Sequence, residues 1–156
     1  MDQADLEEAR RLMQLEYETA ISSIANSEDQ RGRIKGWTIA VAGALLALAV
    51  NSGNWSPGMI AAAAVVFFAY IDIAYMAVEQ KLIDRSHELE KYLEAARRRD
   101  FAEVNKYIFG IGEAHGRKYS RRQVRDELLK RPQIIVFYVG LAFGTVVVTV
   151  LLALAG

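Results

Sequence analysis

The sequence predicts an all-α integral membrane protein, with a two-helix transmembrane hairpin, a cytoplasmic helical bundle and a third, C-terminal transmembrane helix. The clearest sign is a run of 22 uncharged residues, 134–155. A helix rises about 1.5 Å per residue, so this run covers roughly 33 Å and can cross a hydrocarbon core of about 30 Å. Two more apolar runs precede it, and a chain of 156 residues is too short to bury all three in a water-soluble core.

The two earlier apolar runs are predicted to form a hairpin, because only a short uncharged loop separates them. The second run covers residues 59–78. The first covers residues 36–50 and reaches spanning length only if residues 51–55 lie at the far membrane interface. Trp37 and Trp55 would then mark its two ends, as aromatic residues at membrane interfaces do.

The distribution of Lys and Arg predicts the orientation in a bacterial inner membrane. Residues 1–35 hold five of the 19 basic side chains and residues 79–133 hold the other fourteen. Positively charged flanks stay in the cytoplasm, so the N-terminus is expected inside and the C-terminus outside. The predicted parts are a cytoplasmic amphipathic helix (1–35), the transmembrane hairpin (36–78), a cytoplasmic helical region (79–133) and the C-terminal transmembrane helix (134–156).

Two helical patterns are expected in the cytoplasmic parts. In residues 3–26, apolar side chains recur at steps of three and four, which predicts one amphipathic helix. After the second span, the seven-residue spacing of a coiled coil is kept by an apolar stripe of six residues: Tyr75, Val78, Leu82, Leu89, Tyr92 and Ala96. This stripe fits a helical pair within one subunit and equally a seam between subunits.

Asp72 is the sharpest single candidate for a functional residue. It precedes Glu79 by seven residues and is therefore expected roughly 10 Å inside the membrane boundary, where ionisable side chains are costly and often functional. An antiparallel hairpin places it opposite Trp37, so the indole N–H of Trp37 and the side chain of Lys35 are its expected partners. We consider two roles: a clasp that holds the hairpin together, and a group that lines or gates a pore.

The third span adds four candidates. Gly140 and Gly144 form a GxxxG pair, which lets transmembrane helices approach closely and predicts oligomerisation. Thr145 and Thr149 share or adjoin that face and can line a narrow path. Alternatively, the two threonines face lipid and their hydroxyl groups bond to the backbone of their own helix.

Basic side chains cluster in the predicted cytoplasmic region. The cluster consists of Arg97, Arg98, Arg99, Arg117, Lys118, Arg121, Arg122 and Arg125. Such residues next to a bilayer usually hold anionic headgroups, so membrane lipids are expected partners. The same groups also fit the phosphates of a nucleotide or short nucleic acid, with Tyr107, Phe109 and Tyr119 near enough in sequence to stack on a base.

No catalytic or metal-binding set is expected. The chain has no cysteine, and His87 and His115 lack a nucleophile or the spacing of metal ligands. The glycines of residues 109–116 lack the preceding strand that a dinucleotide-binding motif requires. Enzyme activity and a cofactor are therefore not expected.

Two segments resemble small bacterial SLATT-like membrane proteins: Arg-Gly-Arg-Ile-Lys-Gly-Trp at 31–37 and Phe-Phe-Ala-Tyr-Ile-Asp-Ile-Ala-Tyr at 67–75. The resemblance covers about residues 13–92, and the third span departs from the two spans typical of that family. It implies a pore-forming or membrane-disrupting antiphage effector encoded beside a nucleotide-synthesising enzyme. Effectors of the Hailong type, held shut by a nucleic-acid oligomer, are one possibility within this group.

Two functions are compatible with these features. The preferred one is a homo-oligomer, with a tetramer favoured, whose spans form an ion-conducting or depolarising pore gated by a cytoplasmic nucleotide or oligonucleotide. The alternative is a non-conducting membrane adaptor that anchors a soluble partner through its helical stalk.

Overall fold

Three long helices make up most of the structure, a computed structural model that describes residues 3–98, 100, 102–107 and 131–155. Helix α1 spans Gln3–Ser52, α2 spans Ser56–Arg97 and α3 spans Pro132–Ala155. Residues 102–107 are also helical, and none of the described residues forms a strand. Each of the three helices is long and apolar enough to cross a membrane, which confirms the predicted all-α class and the three candidate spans.

The amphipathic tail and the first span were predicted separately, but they are one helix of 50 residues. Gly32 and Gly36 lie inside it, although a helical glycine costs about 1 kcal/mol relative to alanine. Burial on one side of this stretch offsets that cost, because Ser27, Arg31 and Ile34 are each less than 9% exposed.

A three-residue turn joins α1 to α2. Gly53 adopts a left-handed backbone conformation with φ of 63°, which glycine reaches without steric cost. The N–H groups of Gly53 and Asn54 donate to the carbonyls of Val50 and Ala49, and so satisfy the last turn of α1. The side-chain oxygen of Asn54 then accepts the N–H of Ser56 at 2.9 Å, at the start of α2.

The chain divides into two compact units, and α1 and α2 each contribute to both. The tail unit comprises Met1–Glu28 and Ala77–Tyr119, and the span unit comprises Asp29–Met76 and Ser120–Gly156.

The core of the tail unit joins the N-terminal part of α1 to the C-terminal part of α2. Its buried residues are Ala9, Met13, Leu89, Ala95, Ala96, Val104 and Tyr107. Leu89 and Ala96 of the predicted heptad stripe therefore pack within one chain, with Tyr92 against them. Leu82 is half-buried, whereas Tyr75 and Val78 are 38% and 52% exposed. The helical residues 102–107 follow Asp100, whose side chain accepts the N–H of Glu103 at 3.3 Å.

The core of the span unit is built from all three helices. Ala42 of α1, Val65 and Met76 of α2, and Ile134 and Tyr138 of α3 form its buried cluster. At another level of the unit, α3 approaches α2 so closely that a Cβ atom added to Gly58 would collide with the side chain of Thr149.

One face of α2 stays buried at every seventh residue. The positions are Gly58, Val65, Asp72, Glu79 and Ser86. A strict seven-residue repeat is the pattern of helices that pack side by side over many turns. The residue types along this face change from small and apolar to ionisable and polar, and the change begins at Asp72.

Candidate functional site

The centre of the candidate site is a buried ion pair between α1 and α2. The Nε atom of Arg31 donates to Oδ1 of Asp72 at 2.7 Å, and the two side chains are 8% and 0% exposed. Both lie in the span unit. Moving an ion out of water costs several kcal/mol even after relaxation, so each charge depends on the other for its place in the interior.

Helical periodicity explains why Arg31 points inward. Arg31 lies seven residues before Thr38 and three before Ile34, and all three are buried on one side of α1. Asp72 occupies the corresponding buried face of α2. The hydroxyl of Thr38 donates to the carbonyl of Ile34 at 2.7 Å, so this polar side chain is satisfied within its own helix.

The expected partners of Asp72 were Lys35 and Trp37, whereas the structure pairs it with Arg31. Lys35 is only half-buried, and Trp37 is 65% exposed on another side of α1. The partner of Asp72 thus lies one helical turn or more before the expected residues on α1. The length of the Arg31 side chain allows this, because it can reach along the helix axis to Asp72. The interfacial position predicted for Trp37 stays a prediction, with which its exposure is compatible.

Helix α3 brings a third polar side chain to this site. The hydroxyl of Tyr138 lies beside Thr38 and Asp72 and within electrostatic range of Arg31. Tyr138 is 7% exposed. Neither its hydroxyl nor Oδ2 of Asp72 has a hydrogen-bond partner among the residues that the structure describes. The site therefore combines an ion pair with two buried oxygen atoms that lie close to one another without a well-formed hydrogen bond.

Thr145 and Thr149 are buried in the span unit, at 1% and 5% exposure. Their hydroxyls donate to the carbonyls of Leu141 and Thr145 at 2.7 and 2.8 Å. They are thus bonded to their own helix, as in the alternative considered from the sequence, but they face neighbouring helices rather than the outside of the unit. Their contacts are those of packing residues.

Gly140 and Gly144 lie on the opposite, exposed side of α3. A Cβ atom added to either glycine would meet nothing within 4 Å. Val136, Val139 and Phe143 on this side are between 61% and 70% exposed. The helix therefore presents a shallow apolar surface with two glycines along it.

A second polar network lies in the tail unit and holds residues 102–107 against the two long helices. Arg85 donates through Nε to Glu16 at 2.8 Å and through Nη1 to Glu88 at 3.2 Å. The hydroxyl of Tyr107 donates to the other oxygen of Glu16 at 2.9 Å, and the Arg85 guanidinium lies 5.7 Å from the centre of the Tyr107 ring. These contacts tie three chain segments to one arginine.

The network shifts the ionisation of its members. Burial lowers the pKa of Arg85, but hydrogen bonds and charge interactions with Glu16 and Glu88 outweigh it and raise the pKa overall. Burial and the hydrogen bond to Glu16 raise the pKa of Tyr107 to about 12. Arg85 therefore remains a cation and Tyr107 a neutral donor throughout the physiological range.

The basic cluster is described only in part. Arg97 and Arg98 are exposed at the end of α2, where Arg98 pairs with Glu94. Tyr107 is 4% exposed and bonded to Glu16, so it is not free to stack on a base. The remaining predicted ligands lie outside the described residues: Arg99, Phe109, Arg117, Lys118, Tyr119, Arg121, Arg122 and Arg125.

Sequence reasoning missed Arg31, Thr38 and Tyr138 as members of the site. The seven-residue spacing of Arg31 and Thr38 was a usable signal, since it continues the buried side of α1 across the start of the first apolar run. Tyr138 gave no such signal, because its place beside Asp72 depends on how α3 packs against the hairpin.

Comparison with protein-family models, with curated proteins and with solved structures finds no match to this chain.

Proposed function

We propose that the protein is a homo-oligomeric membrane effector whose spans form a gated ion-conducting or depolarising pore. The observation that supports this most is the buried Arg31–Asp72 pair beside Tyr138 in otherwise apolar packing. Ionisable groups within membrane spans are rare and usually functional.

The ion pair is suited to act as a latch. A buried ion pair contributes little net stability compared with apolar residues of similar size, and its best-established use is to fix one arrangement of helices. Here it links α1 to α2 at the position where α3 presents Tyr138. If Arg31 and Asp72 separate, each charge needs water or another charged group as a new partner. The helices would therefore move to a second arrangement only when such a partner becomes available.

In this proposal the conducting path forms between subunits. The centre of each span unit is filled by apolar side chains, including Ala42 and Val65, both 1% exposed. The exposed α3 surface around Gly140 and Gly144 provides the subunit contact, because small residues let transmembrane helices approach closely. A tetramer is the favoured assembly.

The proposal also covers the orientation of the chain in the membrane and the signal that gates the pore. The protein resides in a bacterial inner membrane with the N-terminus in the cytoplasm, where the excess of Lys and Arg keeps residues 79–133. A reporter fused after Gly156 is therefore expected to be active only outside the cytoplasm. The gating signal is a cytoplasmic nucleotide or oligonucleotide bound by basic residues, in keeping with the resemblance to SLATT-like antiphage effectors.

Ion flux into liposomes that contain the purified protein tests the pore. Asp72→Asn keeps the shape of the side chain but removes its charge, so this variant is expected to assemble and to conduct differently from the wild type. Arg33→Gln is the control, because it removes a charge from an exposed pair with Asp29 on α1, two residues after the buried Arg31. Asp72→Leu removes both charge and hydrogen bonding. If both Asp72 variants change stability while flux per assembled particle stays constant, the pair is only a structural clasp.

The second candidate function is a non-conducting adaptor, and the tail unit favours it. Arg85, Glu16 and Tyr107 brace two long helices and a third segment into a defined unit that can present a surface to a soluble partner. Complete absence of flux from correctly inserted oligomers, at every nucleotide concentration tried, would favour the adaptor over the pore.

A further inference from the structure

A groove in the tail unit brings together two arginines from different helices. Its lining consists of Arg10, Gln14, Tyr17, Glu18, Leu93 and Arg97, and its volume is about 420 Å³. We name it the Arg10–Arg97 groove. Binding sites for small molecules in proteins typically measure about 300–1,000 Å³, so the groove is large enough for a small organic ligand.

Arg10 and Arg97 are both exposed. Among the described residues, neither Arg10 nor Arg97 forms a hydrogen bond or an ion pair, whereas Arg98 is engaged with Glu94. An arginine presents a planar fork of donors that matches the oxygens of a phosphate. Two such forks on one groove provide more donors than a single carboxylate ligand can use.

The acidic side chains around the groove are already engaged. Glu18 accepts a hydrogen bond from Gln14 at 3.2 Å, and Glu90, beside the groove, accepts one from Tyr17 at 3.0 Å. The lining itself holds two bases and one acid, so its formal charge is +1. That charge favours an anion, while the nearby Glu90 and Glu94 oppose ligands with a long row of phosphates.

Tyr17 and Leu93 supply the apolar part of the lining. Both are half-buried and pack against the core cluster of the tail unit, which holds their positions. A rigid aromatic ring beside an aliphatic side chain suits a flat or apolar group, and such a surface adds affinity beyond that of the charges.

We propose that the Arg10–Arg97 groove binds a small organic phosphate, with the phosphate held by the two guanidinium groups and the apolar part of the ligand against Tyr17 and Leu93. Any role of the site in opening or closing the pore rests on the proposed function, but binding does not. Both a soluble metabolite and a lipid headgroup can carry a phosphate ester. Of these two, we propose the soluble metabolite as the ligand.

Calorimetric titration of the full chain in neutral detergent at low salt, with phenyl phosphate as the probe, tests the proposal. One saturable site per chain is expected, with higher affinity than for inorganic phosphate because only phenyl phosphate uses the apolar surface. Arg10→Gln and Arg97→Gln should each weaken binding about tenfold, the usual cost of losing a hydrogen bond to a charged group. Arg10→Lys, which keeps the charge but loses the fork, should fall between wild type and Arg10→Gln.

Arg11→Gln is the matched control, since Arg11 is the next residue on α1 and lines a different groove with Glu7 and Glu8. Its affinity should stay within about twofold of wild type, because surface changes away from a site have small effects. Tyr17→Leu should reduce binding of phenyl phosphate towards that of inorganic phosphate and leave the latter unchanged.

Three results would overturn the proposal. They are no saturable binding of phenyl phosphate at low salt, an equal loss of affinity in Arg11→Gln and Arg10→Gln, and an effect of the Arg10 and Arg97 substitutions only on association with phosphatidylglycerol vesicles. Flux measurements distinguish a failure of this proposal from a failure of the proposed pore. If phenyl phosphate does not bind but ions pass, only the binding site is refuted. If phenyl phosphate binds but no ions pass, only the pore is refuted.

Discussion

Arg31 and Asp72 form the buried ion pair on which the chemistry of the candidate site depends. Both lie on buried faces of their helices, so neither can turn its charge towards water without leaving the packed arrangement. The pair must therefore be kept together or broken together. This dependence separates it from the surface pairs of the same chain, such as Arg33 with Asp29.

The first prediction concerns the free energy of unfolding of Arg31→Gln. Removing one partner of a buried ion pair leaves the other charge uncompensated, and we expect a loss of about 3–5 kcal/mol. Arg33→Gln, which breaks an exposed pair, should change stability by less than about 1 kcal/mol. Unfolding titrations in mixed detergent micelles measure both values.

The double variant Arg31→Leu with Asp72→Leu provides the decisive comparison. It removes both charges and leaves apolar side chains, so it should be more stable than Arg31→Gln alone. A double variant that is even less stable than the single one would mean that the pair stabilises the helices beyond mutual compensation of charge.

The second prediction concerns Tyr107, whose pKa is raised to about 12 mainly by burial, with the hydrogen bond to Glu16 adding to it. A raised tyrosine pKa favours the neutral folded form. The resulting stability is fully present below the unfolded pKa of about 10 and is lost as the pH rises through about 12. The difference in tyrosinate absorbance between wild type and Tyr107→Phe should show a midpoint near 12. A midpoint near 10 would contradict the buried hydrogen bond.

The burial of Asp72 could be predicted from the sequence because an acid within an apolar run is a local signal. Its partner could not be predicted in the same way. Choosing among Arg31, Lys35 and Trp37 requires the axial offset between two helices, and one helical turn is only about 5.4 Å. The sequence does not show this offset, because an arginine side chain is long enough to reach a carboxylate from one helical turn away.

At the scale of the helices, α2 and α3 are held together by a contact that depends on the absence of a side chain. Gly58 of α2 lies against Thr149 of α3, and the hydroxyl of Thr149 is fixed by its hydrogen bond to the carbonyl of Thr145. The threonine cannot rotate away without losing that bond. Gly58 is therefore required for close approach, while Gly140 and Gly144 face open space.

The third prediction is that Gly58→Ala destabilises the span unit. The added Cβ overlaps the Thr149 side chain, and overpacking of this kind typically costs about 1–3 kcal/mol. Gly43→Ala is the matched control, because nothing lies within 4 Å of the position where its Cβ would be placed. There we expect no loss, or a gain of up to about 1 kcal/mol from helix propensity.

Thermal unfolding of both variants in the same detergent measures the difference. Adding Thr149→Ala to Gly58→Ala should recover part of the stability, since it removes two of the three atoms nearest to the new Cβ. Equal stabilities of Gly58→Ala and Gly43→Ala would show that α2 and α3 can separate without cost.

For the whole molecule, the all-α class and the three candidate spans could be predicted because long apolar runs are a strong signal that needs no tertiary information. The continuation of the amphipathic tail into the first span as one helix was not predicted. The heptad stripe of α2 could be predicted only from Leu82 onward, since Tyr75 is exposed. Near Tyr75, helix propensity and apolar character continue without a break, so the sequence does not mark which face turns inward. The packing of α3 depends on contacts far apart in the chain.

The fourth prediction concerns assembly. If the exposed surface of α3 forms the subunit contact, Gly144→Leu should weaken association, because a large side chain separates the two backbones. The fold of each subunit should be retained, since a Cβ at this position meets nothing within 4 Å.

Light scattering coupled to chromatography in mild detergent measures the assembly state. Gly43→Leu is the control, because Gly43 is also exposed in an apolar stretch but lies on α1. A wild-type protein that is strictly monomeric, both in detergent and in nanodiscs, would remove the basis for a pore between subunits.

The buried face of α2 makes the number of residues along this helix as important as their identity. Gly58, Val65, Asp72, Glu79 and Ser86 keep one phase because each lies seven residues from the next. Within the span unit, inserting one residue between Val65 and Asp72 would rotate Asp72 by about 100° relative to Val65 and turn its carboxylate away from Arg31. Inserting seven residues would restore the angle to within about 20° but move Asp72 by about 10.5 Å along the helix axis, which also separates it from Arg31. Length variation between these two positions of α2 should therefore be rejected in both cases.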